Sequence, residues 1–240
     1  MIRADFGVNM GSEFSFLHFA IVLDKKDNSK KRTLTVIPLT SKQKSGRFPL
    51  GKEIFNQTIT IINSRIEENE DKHRRIQQNI NKITNEIADL VNDFLDAIIE
   101  NNCDYKEELK QFKISDDEED RFETNNLLKE LTKYVEKNNH LEYSDELLPK
   151  FNEQLELMAN ESKNLSKDAS QLNKETLDLQ KVIDIYQGYN KNSYVRLTDV
   201  TTISKFRIKR LNRFDSSGKI QLSSEQMKVI SDELMKLYIS

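Results

Sequence analysis

The chain predicts an α+β protein: a small β-barrel made of two sequence-distant halves and completed by a C-terminal helix, interrupted by a long antiparallel α-helical coiled-coil hairpin. Three observations predict it. The first fifty residues alternate β-branched and aromatic runs with polar turns, the middle of the chain carries an almost unbroken helical periodicity, and strand-like segments return only at Tyr194-Val195-Arg196-Leu197. The expected organisation is therefore a barrel domain of residues 1–51 plus 190–240, and an inserted arm of residues 52–189 with an acidic helical tip near 100–146.

Ile2-Arg3-Ala4-Asp5-Phe6 alternates like the end of a strand, and the stretch from Gly7 to Gly11 breaks it. After the turn Gly11-Ser12-Glu13, residues 18–24 and 33–40 read as strands because β-branched and aromatic residues dominate them. Between them, 24–32 holds Asp27-Asn28-Ser29 and reads as a hairpin loop.

The insertion is the most regular part. Steps of three and four from Ile59 reach Ile62, Ile66, Asn69, His73, Ile76 and on to Ala97, and a second seam runs from Leu148 through Phe151, Leu155 and Thr176 to Tyr186. Folded antiparallel, the seams pair positions whose numbers sum to 245, which sets Ile59 against Tyr186 and the polar Asn69 against the polar Thr176. Each arm would be about 57 Å long at 1.5 Å per residue. Because both ends must return to one β-body, an intramolecular hairpin is favoured over an intermolecular coiled coil. The intervening segment carries the run Asp116-Asp117-Glu118-Glu119-Asp120, which an apolar core cannot hold, and a short helix around Leu127, Leu128, Leu131 and Val135. The acidic run is a solvated turn or a docking epitope.

Residues 194–199 and 202–208 read as further strands. A closing helix follows, in which Ser223 is the cap, Gln226 stands where a capping box needs it, and Met227, Ile230, Leu234 and Leu237 share one face.

Composition narrows the function classes. Charged residues make up 32% of the 240 residues, no apolar run reaches the roughly 18 residues of a membrane span, and the N-terminus lacks the layout of a signal peptide. No membrane partner is expected, and the cytoplasm is the expected compartment. Cys103, the single cysteine, allows no internal disulfide. Neither a Gly-rich phosphate loop nor metal-ligand spacing is present, so no cofactor or metal is expected. The formal charge of −3 hides an asymmetry. Residues 1–51 hold nine Lys/Arg against four Asp/Glu and 190–240 hold ten against five, so the ends carry +10; the middle, with 18 basic and 31 acidic residues, carries −13. A basic body of this kind is the electrostatic footprint of a protein that handles nucleic acid.

Of three histidines, His73 sits on a helical seam, where a polar residue can specify pairing, and His140 lies in the polar tip region. His18 precedes a buried strand and could face Thr40-Ser41 across one sheet, with the cations Arg32, Lys42, Lys44 and Arg47 nearby. An imidazole, hydroxyl donors and cations are what metal-free RNA cleavage needs: one group to move the 2′-hydroxyl or leaving-group proton, and donors for the charge that gathers on the phosphorus. On spacing alone, a lone histidine at a strand start is more often structural than catalytic.

Gly11-Ser12-Glu13, then His18-Phe19-Ala20-Ile21-Val22-Leu23, then Val36-Ile37-Pro38-Leu39-Thr40-Ser41 resembles the MazF/PemK family of toxin endoribonucleases from toxin-antitoxin systems. The segment Val195 to Ile208 and the closing helix resemble that family's late strands and last helix, so the likeness covers about 100 residues outside the insertion. It implies an SH3-like barrel, usually a homodimer, that cuts single-stranded RNA without a metal and leaves a 2′,3′-cyclic phosphate and a 5′-hydroxyl. It also implies neutralisation by a small acidic antitoxin protein. By position the family's catalytic threonine or serine falls on Thr40, with Ser41 beside it, and its catalytic arginine falls on His18. The cations Arg32, Lys42, Lys44 and Arg47 would guide RNA, and the acidic arm would serve regulation or partner docking. The alternative is a catalytically inactive relative: an interaction protein, such as an inhibitor or regulator on a mobile element, that binds a protein or nucleic acid.

Overall fold

A computed structural model describes residues 1–8, 14–28, 30–115, 124–138, 141, 147–187 and 192–239. The Gly11-Ser12-Glu13 turn, the acidic run 116–120 and His140 lie outside the described residues. The protein is α+β, and its contacts divide it into two compact units, Met1–Asn69 with Lys174–Ser240, and Glu70–Asn173.

In the first unit, six strands among the described residues form an antiparallel sheet: β1 (Ile2–Asp5), β2 (Leu17–Val22), β3 (Thr33–Thr40), β4 (Arg47–Gly51), β5 (Ser193–Arg196) and β6 (Thr201–Ser204). The order is β1-β2-β3-β5-β4, with β6 also on β3. β1 and β4 end this order without pairing to each other, so the sheet is not closed. An isolated bridge joins Ala4 to Ile208, and the Lys209 N–H donates to the Arg3 carbonyl at 2.9 Å.

β3 organises the sheet because its pattern, Thr-Leu-Thr-Val-Ile-Pro-Leu-Thr, buries Leu34 and the run Val36 to Leu39. One edge pairs with β2 at Val36–Pro38. The other pairs with β6 at Thr33–Val36 and with β5 at Leu39–Thr40. Pro38 explains the change of partner. Thr35 turns its carbonyl and N–H toward β2, accepting from the Leu23 N–H and donating to the Asp24 carboxylate at 2.6 Å. Pro38, three residues on, therefore aims its missing N–H at the opposite edge, where no ladder bond is required. β4 is not legible as a strand in the sequence. It is a short edge strand that pairs with β5 alone, its register breaks between Pro49 and Gly51, and an edge is where a sheet admits proline.

The strands expected over 194–199 and 202–208 are shorter. Each ends in a 3₁₀ turn, Leu197–Asp199 and Lys205–Arg207. Asp199 ion-pairs back to Arg196 at 2.5 Å, and Ser204 Oγ accepts from the Phe206 N–H, so local side-chain bonds compete successfully with the ladder. Gly51, at φ +64°, turns β4 directly into helix α1 (Glu53–Asn101). The other helices are α2 (Lys106–Lys110), α3 (Thr124–Lys137), α4 (Leu147–Gln187) and α5 (Ser224–Tyr238).

The first unit's main core gathers Ile21, Ile37, Leu39, Leu50, Ile54, Val195, Leu197, Ile220 and Ile230. Ile62, Val182 and Tyr186 form a smaller cluster from the parts of α1 and α4 that belong to this unit. There Asn69 Nδ2 donates to Thr176 Oγ1 at 3.2 Å, the polar pair that the seam register sets opposite each other. Ser223 caps α5 by accepting from the Gln226 N–H at 3.2 Å, while Gln226 Oε1 has no partner among the described residues, so the reciprocal half of a capping box is not made. Leu237, expected on the buried face, is exposed, because the packed stripe is Met227, Ile230 and Leu234.

The second unit has its own core, from Ala88, Val91, Phe94, Leu95 and Ile98 of α1 to Leu109, Phe112, Ile114, Leu131, Val135 and Phe151. Phe94 and Phe151, also a pair in the expected register, stack with centroids 4.0 Å apart. The Asn92 side chain donates to the Ile114 carbonyl and accepts from its N–H, standing in for a strand partner. His73 is exposed, not buried in a seam. Two helices alone cover only part of each other, and Ile80 of the same seam is also exposed.

Candidate functional site

A cleft of about 220 Å³ in the first unit is lined by His18, Thr40, Ser41 and Lys42 among others. Its position follows from strand register. β2 pairs with β3 from Val22–Val36 to Ala20–Pro38, and His18 and Thr40 lie on these two strands just beyond the last paired residues, both lining the cleft. On its other edge Thr40 pairs with Tyr194. Phe19, Tyr186 and Ile54 form apolar wall, and Phe19 and Tyr186 lie ring to ring at 5.5 Å.

His18 is half-buried. Burial holds its imidazole below the usual histidine range and the Arg196 guanidinium adds to this, against a smaller opposing effect of an N–H donated to the Ser15 carbonyl. The ring is therefore neutral at physiological pH. A neutral imidazole is the form that can accept a proton. Phe14 shapes this environment: its ring lies 4.2 Å from that of His18, and Arg196 stands 4.8 Å over it, with its charge also held by Asp199.

Thr40 Oγ1 accepts from the Lys42 N–H at 3.2 Å, which orients the hydroxyl and leaves its hydrogen to donate. Arg47 Nη1 donates to the Lys42 carbonyl at 2.6 Å and so braces the same turn. Lys44 is exposed on that turn. Arg32 is apart from them: it precedes β3, whose other end carries Thr40, and seven residues of strand separate Thr33 from Thr40, about 23 Å. The structure thus groups His18, Thr40, Ser41 and Lys42 in one cleft, sets Lys44 and Arg47 on the adjoining turn, and leaves Arg32 at the far end of the strand.

Three contributors are missed by sequence reasoning. Phe14 precedes the first recognisable strand, Arg196 reaches the site only through the β3–β5 pairing, and Tyr186 reads simply as the last seam position. Tyr186 donates its hydroxyl to Asp215 Oδ1 at 2.6 Å, and Asp215 also accepts from the Leu211 and Ser217 N–H groups. Burial and the Asp215 carboxylate push the Tyr186 phenol well above its ordinary value, so it is a structural donor rather than an acid. Among the described residues no group of three or more His, Cys, Asp or Glu is placed to hold a metal ion, and no helix is long and apolar enough to cross a membrane. Comparison of the chain with known family models, curated proteins and solved structures finds no match.

Proposed function

We propose that this protein is a metal-independent endoribonuclease of the MazF/PemK kind, acting on single-stranded RNA. The observation that carries the reading is that His18 and Thr40, residues of different strands, line one cleft together with Ser41 and Lys42. Neutral His18 takes the proton of the 2′-hydroxyl. The 2′-oxygen attacks phosphorus, Thr40 and Ser41 donate to the non-bridging oxygens, and Lys42 offsets their charge. The bond from phosphorus to the 5′-oxygen breaks, and that oxygen takes a proton from solvent, giving a 2′,3′-cyclic phosphate and a 5′-hydroxyl. Lys44 and Arg47 guide the adjoining backbone.

On this reading the open sheet is a small SH3-like barrel, supported by the return of the chain after β6 to β1 at Ala4 and Ile208. The two long helices form an antiparallel coiled-coil hairpin, supported by the Asn69–Thr176 and Phe94–Phe151 pairs. The acidic arm serves regulation or the docking of a protein partner, and the barrel acts as a homodimer in the cytoplasm. The test is incubation of the purified chain with end-labelled single-stranded RNA in EDTA, beside His18→Ala and Thr40→Ala. Cleavage leaving cyclic phosphate ends and falling at least 100-fold in each variant is expected. An intact substrate, or variants that cut as well as the parent, refutes the reading.

A further inference from the structure

The segment from Lys205 to Phe214 contains Lys205, Arg207, Lys209, Arg210 and Arg213 and no acidic residue, and none of these cations serves the cleft. In its midst Phe206 is 86% exposed. That ring is held outward by a fixed turn. Ser204 Oγ accepts from the Phe206 N–H, the Ile208 N–H donates to the Lys205 carbonyl at 3.1 Å, and Lys205 Nζ is tied to Asp27 at 2.6 Å. Arg207 donates to the Phe6 carbonyl at 2.9 Å and lies against Gly7, where a Cβ would come within 3.4 Å of its guanidinium. Gly7 also accepts from the N–H of Phe16, a second outward ring, 63% exposed and held at φ +67°. Arg210 lies across Gly218, where a Cβ would come within 2.8 Å of its guanidinium. Lys205 and Arg213 are neutralised by Asp27 and Glu175, whereas Arg207, Lys209 and Arg210 have no acidic partner among the described residues.

We propose that this face is a binding track for single-stranded RNA, with an unpaired base stacked on Phe206 and phosphates on Arg207, Lys209 and Arg210. Cations beside an outward aromatic ring match a strand whose phosphates are charged and whose bases are uncovered. An acidic protein segment uses the cations but leaves the ring in water. The track leads to the cleft. Ala4 pairs with His18 on one edge of β1 and with Ile208 on the other, so the backbones of Ile208 and His18 stand two strand spacings apart, about 10 Å. The proposal rests on the reading of the cleft as an RNA site and extends it to the strand's path.

The experiment is fluorescence anisotropy of the full chain with a labelled, fully 2′-O-methylated 15-nucleotide RNA, which binds without being cut, so that failure of cleavage and failure of the track are read separately. Phe206→Ala is expected to weaken binding about 10-fold and Phe206→Trp to restore it. Replacing both Lys209 and Arg210 by Ala is expected to lower the slope of log affinity against log salt by about 1.4. The same RNA in a duplex binds more weakly. Phe206→Ala binding as tightly as the parent overturns the proposal. So does a polyglutamate competitor that displaces the probe from parent and Phe206→Ala alike, which assigns the face to an acidic protein.

Discussion

The two units of this molecule oppose each other in charge and in the origin of their cores. The first carries 23 basic and 15 acidic residues, +8, and the second 14 and 25, −11. The first builds its core from strands that are distant in sequence, such as β3 against β5, whereas in the second Val91, Phe94, Leu95 and Ile98 come from successive turns of one helix. The difference teaches where chemistry can be placed. A helix shows its neighbours in its own sequence, whereas strand pairing brings residues 22 positions apart, as His18 and Thr40 are, to the lining of one cleft.

If each unit rests on its own core, damage should stay local. Leu95→Ala, at a fully buried position, should cost about 2–5 kcal/mol. Amide exchange read by mass spectrometry should rise over residues 88–114 and stay unchanged over 34–39, and Ile37→Ala should give the converse. Equal acceleration in both regions would break the comparison.

Tyr186→Phe comes next. It removes a buried hydroxyl from Asp215 and leaves a buried carboxylate one donor short, at a cost of about 1–3 kcal/mol. Because Tyr186 also lines the cleft, the first unit's denaturation midpoint should fall while exchange over 88–114 holds.

Replacing the buried Asn69 and its exposed partner Thr176 together by Leu should raise stability by up to about 1 kcal/mol, since an apolar side chain at the buried position outperforms a polar one where register is set elsewhere. A loss of stability would show that this polar pair holds the register by itself.

The smallest effect is electrostatic. The folded state holds His18 below its unfolded value, so the unfolded chain takes up the proton more readily. Above the unfolded value, about 6.5, the group has no effect on stability. Its penalty grows as pH falls through that value and is complete below the folded one. The melting temperature of the parent minus that of His18→Gln should therefore drop between pH 8 and pH 5. A difference that stays flat would remove the half-buried, neutral imidazole from the account.

Much of the helical half was legible because its signals are local. The seam steps, the Asn69–Thr176 register, the Ser223 cap and the short helix around Leu131 each depend on residues a few positions apart or on one repeated interval. Strands β2 and β3 were legible for the same reason, from composition over six to eight residues. β4 was not, since Arg47-Phe48-Pro49-Leu50-Gly51 becomes a strand only by pairing with β5 far along the chain. Within the site, the residue types of His18, Thr40 and Ser41 suggested chemistry, but Arg32 was grouped with them by nearness in sequence and stands at the other end of β3. Phe14 and Arg196 gave no local sign, because their role is to fill and charge the space beside His18.

By itself, then, the sequence determined the α+β class, the length and periodicity of the helices and the division into a basic and an acidic part, all properties that sum over neighbouring residues. Tertiary structure decided which strands flank β3, where Pro38 could be tolerated, that the sheet stays open, that His73 faces water and that His18 and Thr40 line one cleft. Those outcomes depend on pairing across long loops, where the alternation of a strand says which face a residue takes but not which partner lies beside it.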